Sequence, residues 1–508
     1  MKFTYLTQLV TLSFLLFVSS ALNGQVTIGT SEPPMSGALL DLKNKNGDKG
    51  MGMPRVALKK AKKLYPMFWD NNTNAEDPNY TANETALNLE HTGLLVYNIT
   101  KSSPQNLYPG MYVWDGTQWV PLFETPEPDM GPNSYFVKPN TTGFEIPVYK
   151  AYGIWEKFGS RFGTVDFENA TTFEAKILWE EGDLISNHDN SSDFLLPIEG
   201  EGSEGVIKIN TTANEGNAMV AFFVDGVVRW SWHIWVTNYD PDNGGTTYPY
   251  NNGHRDYVWM DRNLGATSAT PSNAGTIGLY YLFGRKDPSP RVADFAGSKP
   301  TNLIGAMLPD YGQNGLNDFS QPFDVTYANS IKNPWAYMGG GGVTGTWYEF
   351  NTTTFPLDKD FYHDIWGQES NKKTLFDPCP EGWAVPRVYP AAYDVHNNLD
   401  YGNWPFLYNG SVTGDAIDYG YLWDKGAYFN GKPDFQMGYF PATGSLNSWW
   451  AFGEPNLDNI GSNCMLLTAM RGQSGHMGNV VTISIWQNSI SPMPMQSGTA
   501  MNVRCVKE

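Results

Sequence analysis

Cysteine is almost absent from this chain. Only Cys379, Cys464 and Cys505 occur in 508 residues, all in its later part. So few thiols exclude a small disulfide-stapled scaffold, and an odd number leaves one outside any bridge. Positive charge is scarce as well. Thirty-three Lys and Arg against 52 Asp and Glu give a net charge of −19, which argues against a phosphate-tracking surface and predicts no nucleic-acid partner. The seven histidines are scattered. They form neither an HExxH pattern nor a close pair, so a catalytic zinc centre has no support. No Gly-x-Ser-x-Gly nucleophile elbow occurs. The glycine run Gly339 to Gly342 lacks the Lys-Ser/Thr that would make it a phosphate cradle and reads as a loop tip. After the first two dozen residues no apolar run approaches the ~18–20 residues of a membrane-spanning helix, so the mature chain is expected to have no transmembrane segment.

The chain opens with Lys2, an apolar run from Leu9 to Val18, and the small residues Ser19-Ser20-Ala21. This is the pattern of a secretory signal, cut at or before Gln25. Residues 1–24 are therefore set aside as a signal peptide, and the protein is expected outside the cell or on its outer surface. No cysteine near the cut offers a lipid anchor.

What the sequence does have is aromatic residues and turn formers. Phe, Trp and Tyr make up 14% and Gly is abundant, a composition that predicts a multidomain, β-rich fold. At about 150 residues per domain, roughly three domains are expected. Residues 25–123 read as an N-terminal β-rich module. Gly93 to Tyr97 is a strand-like run, and Asp115-Gly116 between Met111–Trp114 and Thr117–Val120 signals a hairpin. Lys59 to Asp77 reads as a short helix and a polar loop, with Lys59, Lys60, Lys62 and Lys63 as a solvated face rather than a polyanion site. The proline-rich stretch 124–132 is a linker. Residues 133–240 read as an immunoglobulin-like β-sandwich, with a second hairpin at Asp225-Gly226. Trp230, Trp232 and Trp235 make the following strand aromatic on both faces, as in a central strand or, alternatively, a sugar-binding one. Asp240-Pro241-Asp242-Asn243-Gly244 alternates oxygens like a calcium loop but lacks the bidentate Glu and is read as a turn.

From Tyr257 onward ordered blocks appear: Trp259 to Ala266 (WMDRNLGA), Tyr280 to Lys286 (YYLFGRK), Asp377 to Pro386 (DPCPEGWAVP), Gly438 to Gly444 (GYFPATG) and Val503 to Val506 (VRCV). Together they resemble the Fibrobacter succinogenes major paralogous domain family over residues 241–508. The opening Gln25 to Thr30, Ala38 to Leu42 and Met53 to Val56 resemble a module at the mature N-terminus of exported Bacteroidetes proteins. The first resemblance implies an α+β fold of the C-type-lectin-like or sulfatase-modifying-factor-like kind. It also implies that Cys379 and Cys505 join the domain's ends, with Cys464–Cys505 the competing pair. Closing that loop would constrain the unfolded chain by roughly 4–5 kcal/mol.

The resemblance carries no established catalytic activity, and the chain is expected not to be an enzyme. Glu454-Pro455-Asn456 is similar to the tripeptide with which mannose-binding lectins hold calcium and sugar hydroxyls, and Trp449-Trp450 precede it. The Trp-Asn-Asp partner motif is missing, so a plain surface turn competes with a calcium site on Glu454 and Asn456. Trp347, Trp404, Trp423, Trp449 and Trp450 stand among Gly, Asn and Asp, as suits stacking on sugar rings. The expected function is extracellular binding, as an adhesin or glycan-recognition subunit, with a glycan or surface-protein ligand, no required cofactor, and calcium as an option. A subunit or tip of a surface filament is the alternative, and an exported enzyme with an unrecognised site the second alternative.

Overall fold

The computed structural model describes residues 26–122 apart from short gaps at 34, 36–39, 44–47, 49, 71–74 and 103. It then describes 129–251, 256–290 (without 271–272), 303–308, 327–336, 364–367 and 372–387. Toward the C-terminus it describes 426–428, 439–447, 456–458, 463–471, 477–484, 489–496 and 498–508. The signal-like residues 1–24 lie outside this set. The fold is β-rich with few helices. Among the described residues no helix is long and apolar enough to cross a membrane. Two compact units divide the chain, Met1–Pro128 and Asp129–Glu508, the break falling inside the proline-rich 124–132.

The first unit is built on a four-stranded sheet ordered Arg55–Val56, Leu95–Asn98, Gly110–Trp114, Trp119–Pro121. Its first pair is parallel and the others antiparallel. Trp114 and Trp119 sit opposite one another with rings 5.4 Å apart. Their indole N–H groups donate to Asn88 O and Lys63 O, so two large side chains are buried with their polar atoms satisfied. The hairpin at Asp115-Gly116 is a four-residue loop, not a two-residue one. Only Gly116 takes a positive φ there, and the Asp115 carboxylate accepts from Thr117 N, Thr117 Oγ1 and Gln118 N.

The helix of this unit lies later than the sequence suggested. Within residues 59–77, turns surround Pro66 and the short strands Trp69–Asp70 and Ala75–Glu76 pair antiparallel. There Ala61 N donates to Gln105 Oε1, Lys63 pairs with Glu84 at 2.6 Å, and Lys59 lies over the Trp69 ring. The helix is Pro78–Glu90, started by an Asp77 carboxylate that accepts from Asn79 N at 2.8 Å, with Pro at its first position. Its buried residue Tyr80 accepts from Leu64 N and donates to Asn88 Oδ1.

The second unit gathers four main sheets around one core. A six-stranded sheet runs Leu195–Leu196, Phe173–Glu181, Gly216–Val224, Val227–Val236, Ser134–Val137, with Leu303–Ile304 also pairing Phe173–Glu181. The strands Gly216–Val224 and Val227–Val236 meet at Asp225-Gly226, where both residues take positive φ as a two-residue hairpin requires. Trp230, Trp232 and Trp235 are fully buried, so the sugar-binding reading of that strand is overturned.

Part of what covers this strand comes from beyond residue 240, beside Lys150, Trp155 and Phe136 from before it. Lys286 Nζ lies 4.3 Å from the Trp230 ring and donates to Ser231 O, and Phe376 packs on the same indole. Asn133 Nδ2 donates to Leu375 O and Asp377 O, and Ser134 Oγ donates to Pro378 O. The division expected at 240/241 is therefore not a division of the core: the two stretches share one interior. Each could bury only part of its apolar surface alone.

The sequence blocks of the C-terminal half meet inside this interior. Arg504 donates to Asn263 Oδ1 and Tyr439 O, its guanidinium 3.8 Å from the Phe440 ring. Tyr280 OH donates to Thr443 O, and Asn502 Nδ2 to Ile277 O and Leu279 O. Asp377 accepts from Cys379 N and Val385 N. Gly265 adopts φ +83°, and a Cβ there would meet Leu279 Cγ at 2.5 Å and Asn217 Oδ1 at 2.9 Å. Cys379 and Cys505 form a disulfide closing 126 residues, with Cα atoms 6.1 Å apart. Cys464 is buried outside the bridge, its thiol donating to Phe440 O.

Two expectations follow. Peptide mapping without reductant should yield a Cys379–Cys505 peptide, with Cys464 labelled by a thiol reagent only after denaturation; Cys464 found in the bridge would contradict the pairing. Cys379→Ser should lower stability by up to roughly 4–5 kcal/mol. The second concerns His233, whose ring lies 3.0 Å from Ser134 Oγ and 2.9 Å from Asn217 Oδ1. Burial pulls its pKa from 6.5 down to about 3, so the folded ring is neutral. The unfolded chain binds a proton near pH 6.5 that the folded chain refuses until about pH 3. The group's stabilisation is complete above 6.5 and is lost as pH falls toward 3, by roughly 1.4 kcal/mol per pH unit. In urea titrations the stability difference between wild type and His233→Gln should fall with that slope. A pH-independent difference would show that the ring titrates alike in both states.

Candidate oligomerisation surface

Among the described residues the exposed large apolar side chains are unevenly distributed. Eleven lie between Ile28 and Leu122, against three after them, Phe173, Ile304 and Leu308. Scattered apolar residues on a surface need no explanation, but a clustered set marks an interaction face.

Two of the eleven, Leu95 and Tyr97, share one face of a sheet, and strand geometry puts them there. In Leu95–Asn98 the residues alternate out and in. Val96 is 2% exposed and Asn98 is fully enclosed, while Leu95 and Tyr97 are each 39% exposed. Asn98 fixes this register. Its amide donates to Thr100 O and Tyr108 O, and its Oδ1 accepts from Leu58 N and Thr100 N. All four of its hydrogen-bonding capacities are used in the interior, and a slip by one residue would break every one. The neighbouring strands continue the face by register: Val113 lies across from Leu95, Met111 across from Tyr97, and Val120 across from Val113. These three are half-buried. Leu122, 51% exposed, follows with its N–H on Met111 O. Arg55, exposed and opposite Tyr97, sets a positive charge at the margin. The other side of the sheet carries the core of Val96, Tyr112, Trp114 and Trp119 with Leu58, Leu64, Tyr65, Tyr80 and Leu107.

A second exposed apolar feature lies on the parallel pair Val26–Ile28 and Leu40–Leu42, where Ile28, Leu40 and Leu42 are 56%, 54% and 47% exposed. Sequence reasoning marked the Gly93 to Tyr97 run as a strand but missed its outward face. The available signal was the unbroken apolar stretch Leu94-Leu95-Val96-Tyr97. In a sheet with a single core, such a run places apolar side chains on both faces.

The ligand-binding residues expected from the sequence are placed differently. Trp347, Trp404, Trp423, Trp449, Trp450 and Glu454 lie outside the described residues. Asn456 opens the strand Asn456–Asp458, its backbone paired with Asn447. The Asp240 to Gly244 stretch is a turn: the Asp240 carboxylate accepts from Asp242 N, Asn243 N and Asn243 Nδ2, and Asp242 accepts from Trp383 Nε1 and Lys507 Nζ. Its oxygens are already engaged by protein donors.

Compared with known proteins, residues 27–135 match a family model described as a phage tail like trimerisation region. No curated protein and no solved structure matches the chain. The matched segment contains every residue of the apolar face described above, and over this segment the chain is similar to that trimerisation region.

Proposed function

We propose that the chain is an exported surface protein that trimerises through the outward apolar face of its N-terminal sheet and presents the Asp129–Glu508 unit as a binding head. One observation carries this reading: the exposed face of Leu95, Tyr97, Met111, Val113, Val120 and Leu122 falls within the segment similar to a trimerisation region. Burying such a face removes apolar area from water at about 25 cal/mol per Å². A trimer covers it on every copy with one repeated contact, and closed symmetry prevents runaway assembly.

In the head, we read the sheets of residues 134–236 as immunoglobulin-like and the part closed by Cys379–Cys505 as lectin-like. Trimer formation suits a receptor for repeated ligands, because three weak sites held together gain avidity without new contacts. The ligand class we favour is a glycan or a glycosylated surface protein, met by Trp347, Trp404, Trp423, Trp449 and Trp450, with Glu454 and Asn456 offering oxygens to calcium. A trimeric subunit or tip of a surface filament is the neighbouring reading, and rests on the same N-terminal face.

Sedimentation equilibrium of the mature full-length chain tests the assembly. Wild type should have three times the mass of one chain, and Leu95→Glu with Tyr97→Glu should shift it to the monomer with the near-UV circular dichroism of the head retained. A monomeric wild type at tens of micromolar, or a trimer indifferent to both charges, would refute it. For the head, the mature chain on a glycan array should bind, with the signal lost in Trp449→Ala/Trp450→Ala and reduced by a chelator; an array without any hit would remove the glycan class.

A further inference from the structure

At the end of the strand Phe173–Glu181 the chain turns through Gly182 and runs back past Asp183 to His188, pairing Ile185 with Thr211 on the way. Glu180 is fully enclosed. Its Oε2 accepts from Leu184 N at 3.1 Å and Ile185 N at 2.9 Å. Its Oε1 is buried with no hydrogen-bond partner among the described residues. A buried carboxylate oxygen without a donor is costly, and such an atom in a well-packed fold asks for an explanation. The ligand atoms of Glu180, Asp183 and His188 all lie within 4.8 Å of one another. Asp183 is exposed and His188 half-buried, so the cluster has a closed floor and an open side.

Three details favour a cation here over a chance meeting of acids. Among the described residues no Lys or Arg pairs with Glu180 or Asp183: the nearby Lys176 is paired with Glu174 and Asp193, and Lys208 with Glu145 and Glu199. His188 Nδ1 lies 3.0 Å from Asp189 O, and the ring rests on Phe194 at 4.9 Å. With Nδ1–H on a carbonyl, Nε2 keeps the lone pair. This is the outer-shell arrangement that orients metal-binding histidines. The turn itself is anchored, since Asp183 O accepts from Thr212 Oγ1 and Asn214 Nδ2.

We infer that Glu180, Asp183 and His188 form a divalent metal site of the zinc class, with its remaining positions open to water. Two carboxylates and one imidazole suit zinc, cobalt or manganese. They supply too few oxygens for calcium, which takes six to eight. Metal–ligand distances near ~2.0–2.2 Å require the three atoms to close in somewhat. The exposed Asp183 and half-buried His188 can do so while the enclosed Glu180 stays fixed. The site lies in the Asp129–Glu508 unit, far in sequence from the N-terminal sheet, and is independent of the assembly proposed above.

The test uses the mature full-length chain, freed of metal by a chelator. Isothermal titration with Zn²⁺ should give one site per chain, and thermal unfolding should move upward with added Zn²⁺. His188→Ala and Asp183→Asn, both on the accessible side, should keep the apo melting temperature yet weaken Zn²⁺ binding by about tenfold or more. Glu180→Gln should do the same with the buried volume unchanged. Bound Co²⁺ should show visible absorption that His188→Ala abolishes. Absence of a titratable Zn²⁺ site, tighter binding of Ca²⁺ than of Zn²⁺, or wild-type Zn²⁺ affinity in His188→Ala and Asp183→Asn would each overturn the assignment.

Discussion

A sheet has two faces, and the N-terminal unit has core enough for one. That constraint organises the account. Asn98, saturated with four hydrogen bonds inside the unit, locks Leu95–Asn98 so that Val96 faces the tryptophan pair and Leu95 and Tyr97 face out. The strand cannot relieve the exposure by sliding, because every side chain would change face together. In the proposed assembly a second and third copy of the same surface cover this apolar side, as the similarity to a trimerisation region suggests.

The second unit solves a different problem. Its central strands are apolar on both sides, and the covering material is drawn from segments hundreds of residues apart. Polar side chains stitch these together at a few points: Asn133 and Ser134 to residues 375–378, Asn217 to Gly265, Arg504 to Asn263 and Tyr439. Each is buried and each holds a backbone or side-chain partner, so the network specifies which segments meet. The most distinctive sequence blocks of the C-terminal half thus include residues of internal attachment. Lys286 illustrates the economy of the arrangement. Burial pulls its pKa down to about 8, while Asp287 and Ser231 beside it supply partners for the ammonium group.

Much of the local architecture was legible in the sequence. Asp225-Gly226 announced a two-residue hairpin because both positions need positive φ, and the tryptophans on both faces of the strand after it pointed to a central position. The Cys379–Cys505 bridge followed from a family resemblance, not from spacing. The helix Pro78–Glu90 was missed because its face toward the core is little more than Tyr80. Its only strong signals were Asp77 as a cap and Pro78 behind it. The interior shared across residue 240 is non-local: hydrogen bonds such as Ser134 to Pro378 cannot be read from a linear pattern. Exposure of Leu95 and Tyr97 was hidden similarly, since a run of apolar residues does not say how many cores will receive it. The Glu180, Asp183 and His188 grouping depends on a turn folding back onto a strand end, and no motif spacing marks it.

Side-chain oxidation footprinting across a dilution series reads the N-terminal face most directly. If three chains bury it, Leu95, Tyr97, Met111 and Leu122 are protected at high concentration and become reactive together as the assembly dissociates, while Leu89, 74% exposed on the helix, reacts throughout. Equal reactivity of these residues at every concentration would mean that the face stays open to water, and the account of how this protein assembles would be wrong.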